Sequence, residues 1–363
     1  MQTLAGTVPP LSIRRAVSSD IPQLMDLLRM VSDRKYSIEA IRVMLADLNP
    51  GEYYGWIALA GNDAVGVTML QPCTLEFSGR QCPAGYWTNL CVRPDYRKTT
   101  LYPRLVFTMI TGAAELGMDV VYGAIRRPDV AAGHLSLGME KIGDIPVLAK
   151  PVRPARLISK HKGFGHLAAQ LSGMPDGVYS QYRSLRRAGT SSGYSIKECA
   201  AAECDAGTIL PILSEPFESD IRQHWTSSTF YRRYRTNPDG DEYRVLSVQQ
   251  RGNTEAVIVY RRAVRGPDIQ TLVIMEMGHR LSAEQALRAG LFELEKKATA
   301  SGCDVILCLS SSAPMQALLR GTGYMDSGEN YILMKKATGR KTDCVLPAKI
   351  TAWSFTFADH DAF

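Results

Sequence analysis

The chain has 363 residues, of which 45% are apolar and 21% charged, and its net charge is +6. This length suits two domains, and the composition is typical of a packed soluble protein. The modest positive charge comes without a motif of interleaved basic and aromatic residues, which argues against nucleic-acid binding. No apolar run reaches the roughly 18 residues needed to span a bilayer, so the sequence predicts no transmembrane helix.

Eight cysteines are spread over the chain, and most of them lie in apolar runs that are typical of strands. None forms a C-x-x-C pair, and the N-terminus lacks the basic-then-apolar pattern of a secretory signal. We therefore predict buried, reduced cysteines in a cytoplasmic protein. The eight are Cys73, Cys82, Cys91, Cys199, Cys204, Cys303, Cys308 and Cys344.

Strand and helix patterns follow one another through the first 150 residues. Apolar runs predict strands at 11–16, 56–60, 64–70, 86–92, 119–125 and 145–149. Apolar residues at helical spacing predict helices at 21–31, 38–48 and 101–116, and a short helix that contains His134. The resulting order, βααβββαβαβ, predicts a mixed α/β layer structure.

The stretch 153–193 breaks this pattern and is predicted to connect two domains. It contains seven basic residues but a single acidic one, Asp176, and several glycines interrupt it. One or two helices are expected within it. Either a solvated linker or a basic lip that attracts an anionic ligand explains this composition, and the sequence leaves both interpretations open.

The same order of elements then restarts. Strands are predicted at 194–199, 244–248, 256–264, 269–277, 304–309 and 331–334, with a long helix that Ser282 caps. The pair Gly323-Tyr324 stands where the first half has Gly138-Met139. A repeat of this length predicts two copies of one domain. In the tail, aromatic residues at period two predict a strand packed against a domain; they are Trp353, Phe355 and Phe357.

Residues 90–105 are the most informative stretch. A strand ends at Val92, a proline turn with Arg97 and Lys98 follows, and an apolar helix starts near Leu101, with Thr100 as its predicted cap. Backbone N–H groups at a helix N-terminus, together with two positive charges, form a site for a phosphate. The candidate binding residues are Leu90, Cys91, Val92, Arg97, Lys98, Thr99, Thr100, Leu101 and Tyr102.

This stretch resembles the acyl-CoA-binding motif of the GNAT (GCN5-related N-acetyltransferase) superfamily, V-x-P-x-x-R-x-x-G-x-G/A before a helix. Val92, Pro94, Tyr96 and Arg97 match, whereas Thr100 and Tyr102 replace the two glycines. The element order resembles the same fold. The resemblance implies an α/β protein of two tandem GNAT-like domains, each a mostly antiparallel, splayed mixed sheet flanked by helices. The implied parts are an N-terminal domain at 10–152, the basic connector at 153–193, a C-terminal domain at 194–340 and a tail at 341–363.

The resemblance also implies the chemistry. Acyl-CoA, acetyl-CoA or longer, would be the co-substrate without a metal, and a splay at 90–92 would offer backbone N–H groups to the thioester carbonyl. GNAT proteins often have a tyrosine acid four residues before a Gly-Phe pair, and His134 stands there, with Tyr122 and Ser136 as lesser candidates. The strand before the loop has no acid, so Glu76 is the candidate base. In the second half, Glu276 is either a surface strand residue or a cleft residue.

The predicted function is an N-acyltransferase in which an amine attacks the thioester directly, because no serine or cysteine stands in a nucleophile motif. The amine would belong to a small molecule, a sugar or another glycan, or an amino acid, and an acyl carrier protein is a possible donor partner. Two alternatives remain. The protein could be a non-catalytic GNAT-fold binding or scaffold protein. It could also be a tRNA-dependent, FemX-like aminoacyltransferase that holds RNA with its basic connector.

Overall fold

The computed structural model describes residues 10–31, 38–45, 47–49, 52–161, 175–178, 193–215, 221–234, 242–266, 268–340 and 344–358. The chain packs into two compact units, one of 1–142 with 333–348 and one of 143–332 with 349–363. Strands and helices mix in both, as the sequence predicts for an α/β protein. These bounds describe which residues pack together. The bounds of the two repeats, which come from the sequence, stay a prediction.

Fourteen strands and nine named helices lie in the described residues. The strands are β1 (Leu11–Val17), β2 (Asp47–Asn49), β3 (Glu52–Ala60), β4 (Asp63–Phe77), β5 (Arg80–Val92), β6 (Val120–Ile125), β7 (Glu140–Pro151), β8 (Ser195–Ala200), β9 (Ile221–Gln223), β10 (Arg244–Gln250), β11 (Asn253–Arg265), β12 (Ile269–His279), β13 (Val305–Leu309) and β14 (Met325–Ala337). The helices are α1 (Ile21–Val31), α2 (Ile38–Leu45), α3 (Leu101–Glu115), α4 (Pro128–Ser136), α5 (Pro154–His161), α6 (Ala206–Leu213), α7 (Ser227–Tyr234), α8 (Glu284–Ala300) and α9 (Ala313–Gly321).

The first unit, 1–142 with 333–348, is built on the strand order β1-β3-β4-β5-β6, and residues 333–337 of β14 lie next to β6. The pairs β1–β3, β3–β4 and β4–β5 are antiparallel, and β5 and β6 are parallel. Helices α1 and α2 bury their apolar faces against β3 and β4, because their apolar residues recur at three- and four-residue spacing. Strands β4 and β5 extend beyond the predicted 64–70 and 86–92 and form a hairpin. Its turn residues Ser78 and Gly79 both have positive φ, as a two-residue hairpin turn requires.

One disulfide lies in the first unit, where Cys82 of β5 is joined to Cys344. The two Cα atoms are 6.1 Å apart, within the usual range for a disulfide. The prediction of eight reduced cysteines is therefore wrong for this pair, while the other six remain thiols. No local spacing links two residues that are 262 positions apart, so the sequence offered no signal for the pairing.

The second unit, 143–332 with 349–363, has the strand order β7-β13-β12-β11-β10-β8, in which only β12 and β13 are parallel. Helices α8 and α9 cover its core with leucines. The tail residues Trp353, Phe355 and Phe357 are buried, as predicted, but they form single bridges instead of a regular strand. The bridges join Ile221 to Trp353 and Ser310 to Thr356.

The connector is described only in part. Helix α5 begins where the Asp176 carboxylate accepts hydrogen bonds from the N–H groups of Ala155 and Arg156, which satisfies two donors of its first turn. Asp304, which is buried, accepts a hydrogen bond from Lys160 at 2.8 Å and anchors this helix in the second unit. The remaining basic residues of the predicted connector, Lys162, Arg183, Arg186 and Arg187, lie outside the described residues.

Glu198 of β8 is the centre of a charged cluster. It accepts hydrogen bonds from Lys297, from the Tyr260 hydroxyl at 2.6 Å and from Arg244. Burial opposes ionisation of this carboxyl, but the three donors prevail and lower its pKa from 4.5 to about 2. A carboxylate with a depressed pKa stabilises the folded state above its unfolded pKa and loses that contribution as the pH falls through its folded pKa.

We therefore expect Glu198 to stabilise the fold fully above pH 4.5 and to lose its contribution between that pH and about 2. The measurement is the free energy of unfolding of the wild type and of Glu198→Gln from pH 7 down to pH 2.5. The difference between the two should be largest near pH 7 and should shrink as the pH falls below 4.5. A difference that stays constant with pH would contradict this assignment.

Candidate functional site

Strand β5 carries a bulge in its pairing with β4, just beyond the point where it parts from β6. The two strands pair in parallel only from Ala84 to Tyr86 of β5. Further along, Thr88 pairs with Met69 and Cys91 with Val67, so β5 has one residue more than β4 in this interval. Asn89 takes up the extra length with a φ of 48°, a left-handed conformation that asparagine tolerates better than most residues. Strands β5 and β6 part after Tyr86 and Tyr122, and the bulge at 89–90 overlaps the stretch 90–92 where the splay is predicted.

The loop after β5 presents its basic pair to solvent. A 3-10 turn at Pro94–Tyr96 follows the strand, and both Arg97 and Lys98 are exposed. The Arg97 Nε donates a hydrogen bond to the Val92 carbonyl oxygen at 3.2 Å, which fixes the guanidinium next to the end of β5. The loop therefore holds one of its two cations in a defined place before helix α3.

Helix α3 is capped by the Thr99 side chain and not by that of Thr100, which is the cap predicted from the sequence. Thr100 occupies the N-cap position, but its side chain makes no capping hydrogen bond. Instead, the Thr99 hydroxyl accepts a hydrogen bond from the Leu101 N–H at 3.2 Å and donates one to the Tyr96 carbonyl oxygen at 2.7 Å. This local network closes the turn without the glycines of the GNAT motif.

An aromatic cluster of Trp87, Tyr102 and His134 lies beside this loop. The His134 ring centroid is 4.2 Å from that of Trp87 and 5.3 Å from that of Tyr102. Glycines make room for it, because a Cβ on Gly123 would lie 3.1 Å from the Trp87 ring and one on Gly133 would lie 3.2 Å from the Tyr102 hydroxyl. The cluster thus brings together β5, α3 and α4.

Burial controls the protonation of this cluster. His134 is 1% exposed, and burial lowers its pKa to about 4, while burial raises the pKa of Tyr102 to about 12. Both side chains are therefore neutral at pH 7. Their polar atoms, His134 Nδ1 and the Tyr102 hydroxyl, are buried without a hydrogen-bond partner among the described residues. Such atoms are rare in native proteins, so this cluster is a candidate for a functional role.

The other two candidate catalytic residues lie elsewhere. Glu76 pairs with Gln81 next to the hairpin turn, nine residues along β4 from Val67 at the bulge. At the usual rise of a strand this separation is about 30 Å. Tyr122 is buried where β5 and β6 part, with its hydroxyl 3.5 Å from the Cys73 sulfur. The structure therefore brings only His134 next to a predicted donor-binding residue, Tyr102.

Sequence reasoning missed Trp87 and Asn89 as parts of this site. Asn89 carried a signal, because a polar residue that tolerates positive φ, set in an apolar strand, is typical of a bulge. Trp87 carried none, since its role depends on contact with His134, which is 47 positions away in the sequence.

The second unit repeats the bulge. In β12, Glu276 pairs with Val259 and Ile274 with Tyr260, so Met275 is the extra residue. The parallel pairing of β12 with β13 ends at Ile274 and Cys308. Beyond this point the tail forms hydrogen bonds with both strand ends. The Ala358 N–H donates to the Met275 carbonyl oxygen at 2.8 Å, and the Ser311 N–H donates to the Phe355 carbonyl oxygen at 3.0 Å. A cavity of about 600 Å³, its open mouth included, remains next to the tail.

Among the described residues, no helix is both long and apolar enough to cross a bilayer. In the same part of the chain, no group of three or more His, Cys, Asp or Glu side chains is placed to hold a metal ion.

Comparisons with known proteins agree with this geometry. The family model described as an acetyltransferase (GNAT) domain matches residues 12–130. No curated protein matches the sequence significantly. Among solved structures, the N-myristoyltransferase of Saccharomyces cerevisiae, determined with bound myristoyl-CoA, is similar with a TM-score of 0.64 and 11% identity, over 93% of this chain and 81% of that one.

Two further structures are similar over nearly the whole chain. A GCN5-related N-acetyltransferase from Anabaena variabilis has a TM-score of 0.60 and 10% identity, over 91% of this chain and 73% of that one. A tandem GNAT protein from the clavulanic acid biosynthesis pathway has a TM-score of 0.58 and 12% identity, over 92% of this chain and 100% of that one. Identities this low establish the fold alone. Residues 12–130 match the GNAT domain model, and the chain as a whole has the fold of tandem GNAT proteins.

Proposed function

We propose that this protein is an N-acyltransferase that moves an acyl group from acyl-CoA, acetyl-CoA or longer, to the amine of a small molecule, a sugar or an amino acid. The observation that carries the proposal is the bulged β5, which leads directly into a loop with exposed Arg97 and Lys98 at the start of α3. An acyl carrier protein would present the same phosphopantetheine chemistry. The location we propose is the cytoplasm, which the six free thiols favour and the Cys82–Cys344 disulfide opposes. The acceptor remains defined only by its amine.

The residues fit the polar end of such a donor. Arg97 and Lys98 supply two positive charges for its diphosphate, and the N-terminus of α3, the positive end of the helix dipole, follows them directly. The bulge at 89–90 leaves β5 without regular pairing at the level where a thioester carbonyl would meet backbone donors. Tyr102 stands where GNAT motifs have glycine. Its ring lies next to the His134 ring, with 5.3 Å between the two centroids.

In the proposed reaction the acceptor nitrogen attacks the thioester carbon, the carbon–sulfur bond breaks, and the thiolate takes up a proton. With a pKa of about 4, only about one His134 in a thousand is an imidazolium at pH 7. We therefore propose that His134 positions Tyr102 and that the proton reaches the thiolate from the attacking amine or from water. Glu76 and Tyr122 have no part in this scheme.

Arg97→Ala tests the donor site. We expect the dissociation constant of acetyl-CoA to rise about tenfold or more, because a hydrogen bond to a charged group contributes roughly 1.5–3 kcal/mol. Isothermal titration calorimetry measures it, and Arg29→Ala, an exposed arginine of α1 that the proposal does not use, is the matched control. Equal affinities of the wild type and Arg97→Ala would remove the phosphate role, and absence of binding in the wild type would remove the donor.

A non-catalytic binding protein is the second candidate function. It is favoured by the bulky Tyr102 at a glycine position and by the aromatic cluster beside the loop. The assay that distinguishes a transferase from a binding protein measures the release of free thiol from acetyl-CoA in the presence of each of a panel of amines. Turnover that depends on the amine supports the transferase, and binding without turnover supports the scaffold.

A further inference from the structure

The hydroxyl of Thr88 is buried one residue before the bulge of β5. Its oxygen has no hydrogen-bond partner among the described residues, and the same holds for His134 Nδ1 and the Tyr102 hydroxyl. In the described part of the first unit, only one other side chain, that of Arg15, has such an atom. Because buried polar atoms without partners are rare, their concentration beside one bulge indicates a functional role for this part of β5.

Thr88 and Trp87 lie on opposite faces of the sheet, because successive residues of a strand alternate. The pairing with β4 is regular up to this point, since Trp87 pairs with Leu70 and Thr88 with Met69. Trp87 is 7% exposed, and the His134 ring covers it with 4.2 Å between the two centroids. Thr88 is half-buried, so its face is the more open one at this level of the strand.

Packing alone does not favour a hydroxyl at this position. Met69, the partner of Thr88 on β4, is buried in the apolar core between the sheet and the helices α1 and α2. Tyr86, two residues earlier on the same face, is buried in edge contact with Tyr122. A buried hydroxyl without a partner destabilises the folded state, so an apolar side chain would suit these surroundings better.

The second unit has such an apolar residue at the matching position. The last residue in regular pairing before its bulge is Ile274 of β12, as Thr88 is in β5. Ile274 is 1% exposed. The hydroxyl therefore occurs in the unit whose bulge leads into the basic loop of Arg97 and Lys98, and not in the unit without that loop.

We propose that the Thr88 hydroxyl binds the attacking amine and positions its nitrogen. The Thr88 oxygen accepts a hydrogen bond from an N–H group of the amine, which directs the lone pair of the nitrogen at the thioester carbon. This inference rests on the proposed function, because it requires the donor carbonyl at the bulge. The hydroxyl takes up no proton, so the proton that the amine releases still goes to the thiolate or to solvent.

Thr88→Val tests this role, since valine has the shape of threonine without the hydroxyl. The assay measures thiol release from acetyl-CoA by the full chain, with glucosamine, lysine and ethanolamine as probe amines. For the amine that the wild type uses best, we expect the KM to rise at least about fivefold in Thr88→Val, as loss of one hydrogen bond predicts. The dissociation constant of acetyl-CoA should not change. Thr88→Ser keeps the hydroxyl and should keep the KM of the wild type.

The stability of the variant is a second readout that needs no substrate. Removal of an unpartnered buried hydroxyl should leave the melting temperature of Thr88→Val equal to or above that of the wild type. Thr271→Val in β12 is the matched control, because Thr271 is 1% exposed and its hydroxyl donates to the Ile269 carbonyl oxygen at 3.3 Å. This variant should have a lower melting temperature and an unchanged KM.

Four results would each overturn the role of Thr88. They are an unchanged amine KM in Thr88→Val, an equal rise in Thr271→Val, a raised KM in Thr88→Ser, and a melting temperature of Thr88→Val below that of the wild type. Each of them leaves the proposed function in place. Absence of turnover with every amine would instead remove the transferase and this role together, so the two failures are distinguishable.

Discussion

Replacing Glu295 with alanine is expected to lower the free energy of unfolding by about 3–5 kcal/mol, because it leaves a buried ammonium without its partner. Glu295 of α8 and Lys150 of β7 lie 2.6 Å apart, N to O, and each side chain is only 3% exposed. The ammonium also lies over the rings of Phe292 and Tyr324, at 5.6 and 5.4 Å. These rings attract a cation but cannot replace a carboxylate at contact distance. Urea unfolding followed by fluorescence and circular dichroism gives the difference.

The same helix provides the control for this prediction. Glu293 pairs with Lys296 at 3.1 Å on the surface of α8, where the lysine side chain is 60% exposed. Removal of Glu293 by Glu293→Ala should change the stability by less than about 1 kcal/mol. A second variant, Lys150→Met with Glu295→Leu, removes both charges and should recover most of the lost stability. If Glu295→Ala and Glu293→Ala have equal effects, the buried pair does not contribute as its burial indicates.

Loss of the Cys82–Cys344 disulfide is expected to lower the free energy of unfolding by about 2–5 kcal/mol, since the bond closes a very long loop in the unfolded chain. Cys82 lies in β5 near the hairpin turn, and Cys344 belongs to the segment 333–348 that completes the first unit. The bond therefore holds this segment to the sheet. Thermal unfolding with and without a reductant measures the effect.

The double variant Cys82→Ser with Cys344→Ser is the control for the reductant. It should unfold at the temperature of the reduced wild type and should not respond to the reductant, because the other six cysteines are already thiols. Mass spectrometry of a digest under non-reducing conditions identifies the linked peptides directly. A wild type whose melting temperature is the same in both conditions, with no linked peptide, would show that this bond does not form.

Much of the fold follows from local sequence patterns, and the differences have identifiable causes. The apolar periodicity of α1 and α3 and the β-branched run of β6 predict these elements within a few residues. The strands β2 and β9 escaped prediction because three residues carry no periodicity. The strands β4 and β5 are longer than the predicted 64–70 and 86–92, and each contains a proline, Pro72 or Pro83, a residue that is uncommon inside a strand.

The candidate site, like the fold, was predictable from the sequence only in part. The strand, turn and helix around Arg97 are contiguous in the sequence, so their arrangement was predictable. The burial of His134 was not, because Trp87 and Tyr102 reach it from other elements. The position of Glu76 depends on the register of a long hairpin, which sequence alone does not determine.

The composition of the first unit has a consequence for synthesis on the ribosome. Its sheet and its disulfide need residues 333–348, which are translated after nearly all of the second unit. Domains usually fold in the order in which they emerge, N-terminal first. In this chain the first unit keeps an uncovered edge at β6 until residues 333–348 emerge. A chain truncated after residue 152 would lack these residues, and we expect its sheet to be incomplete.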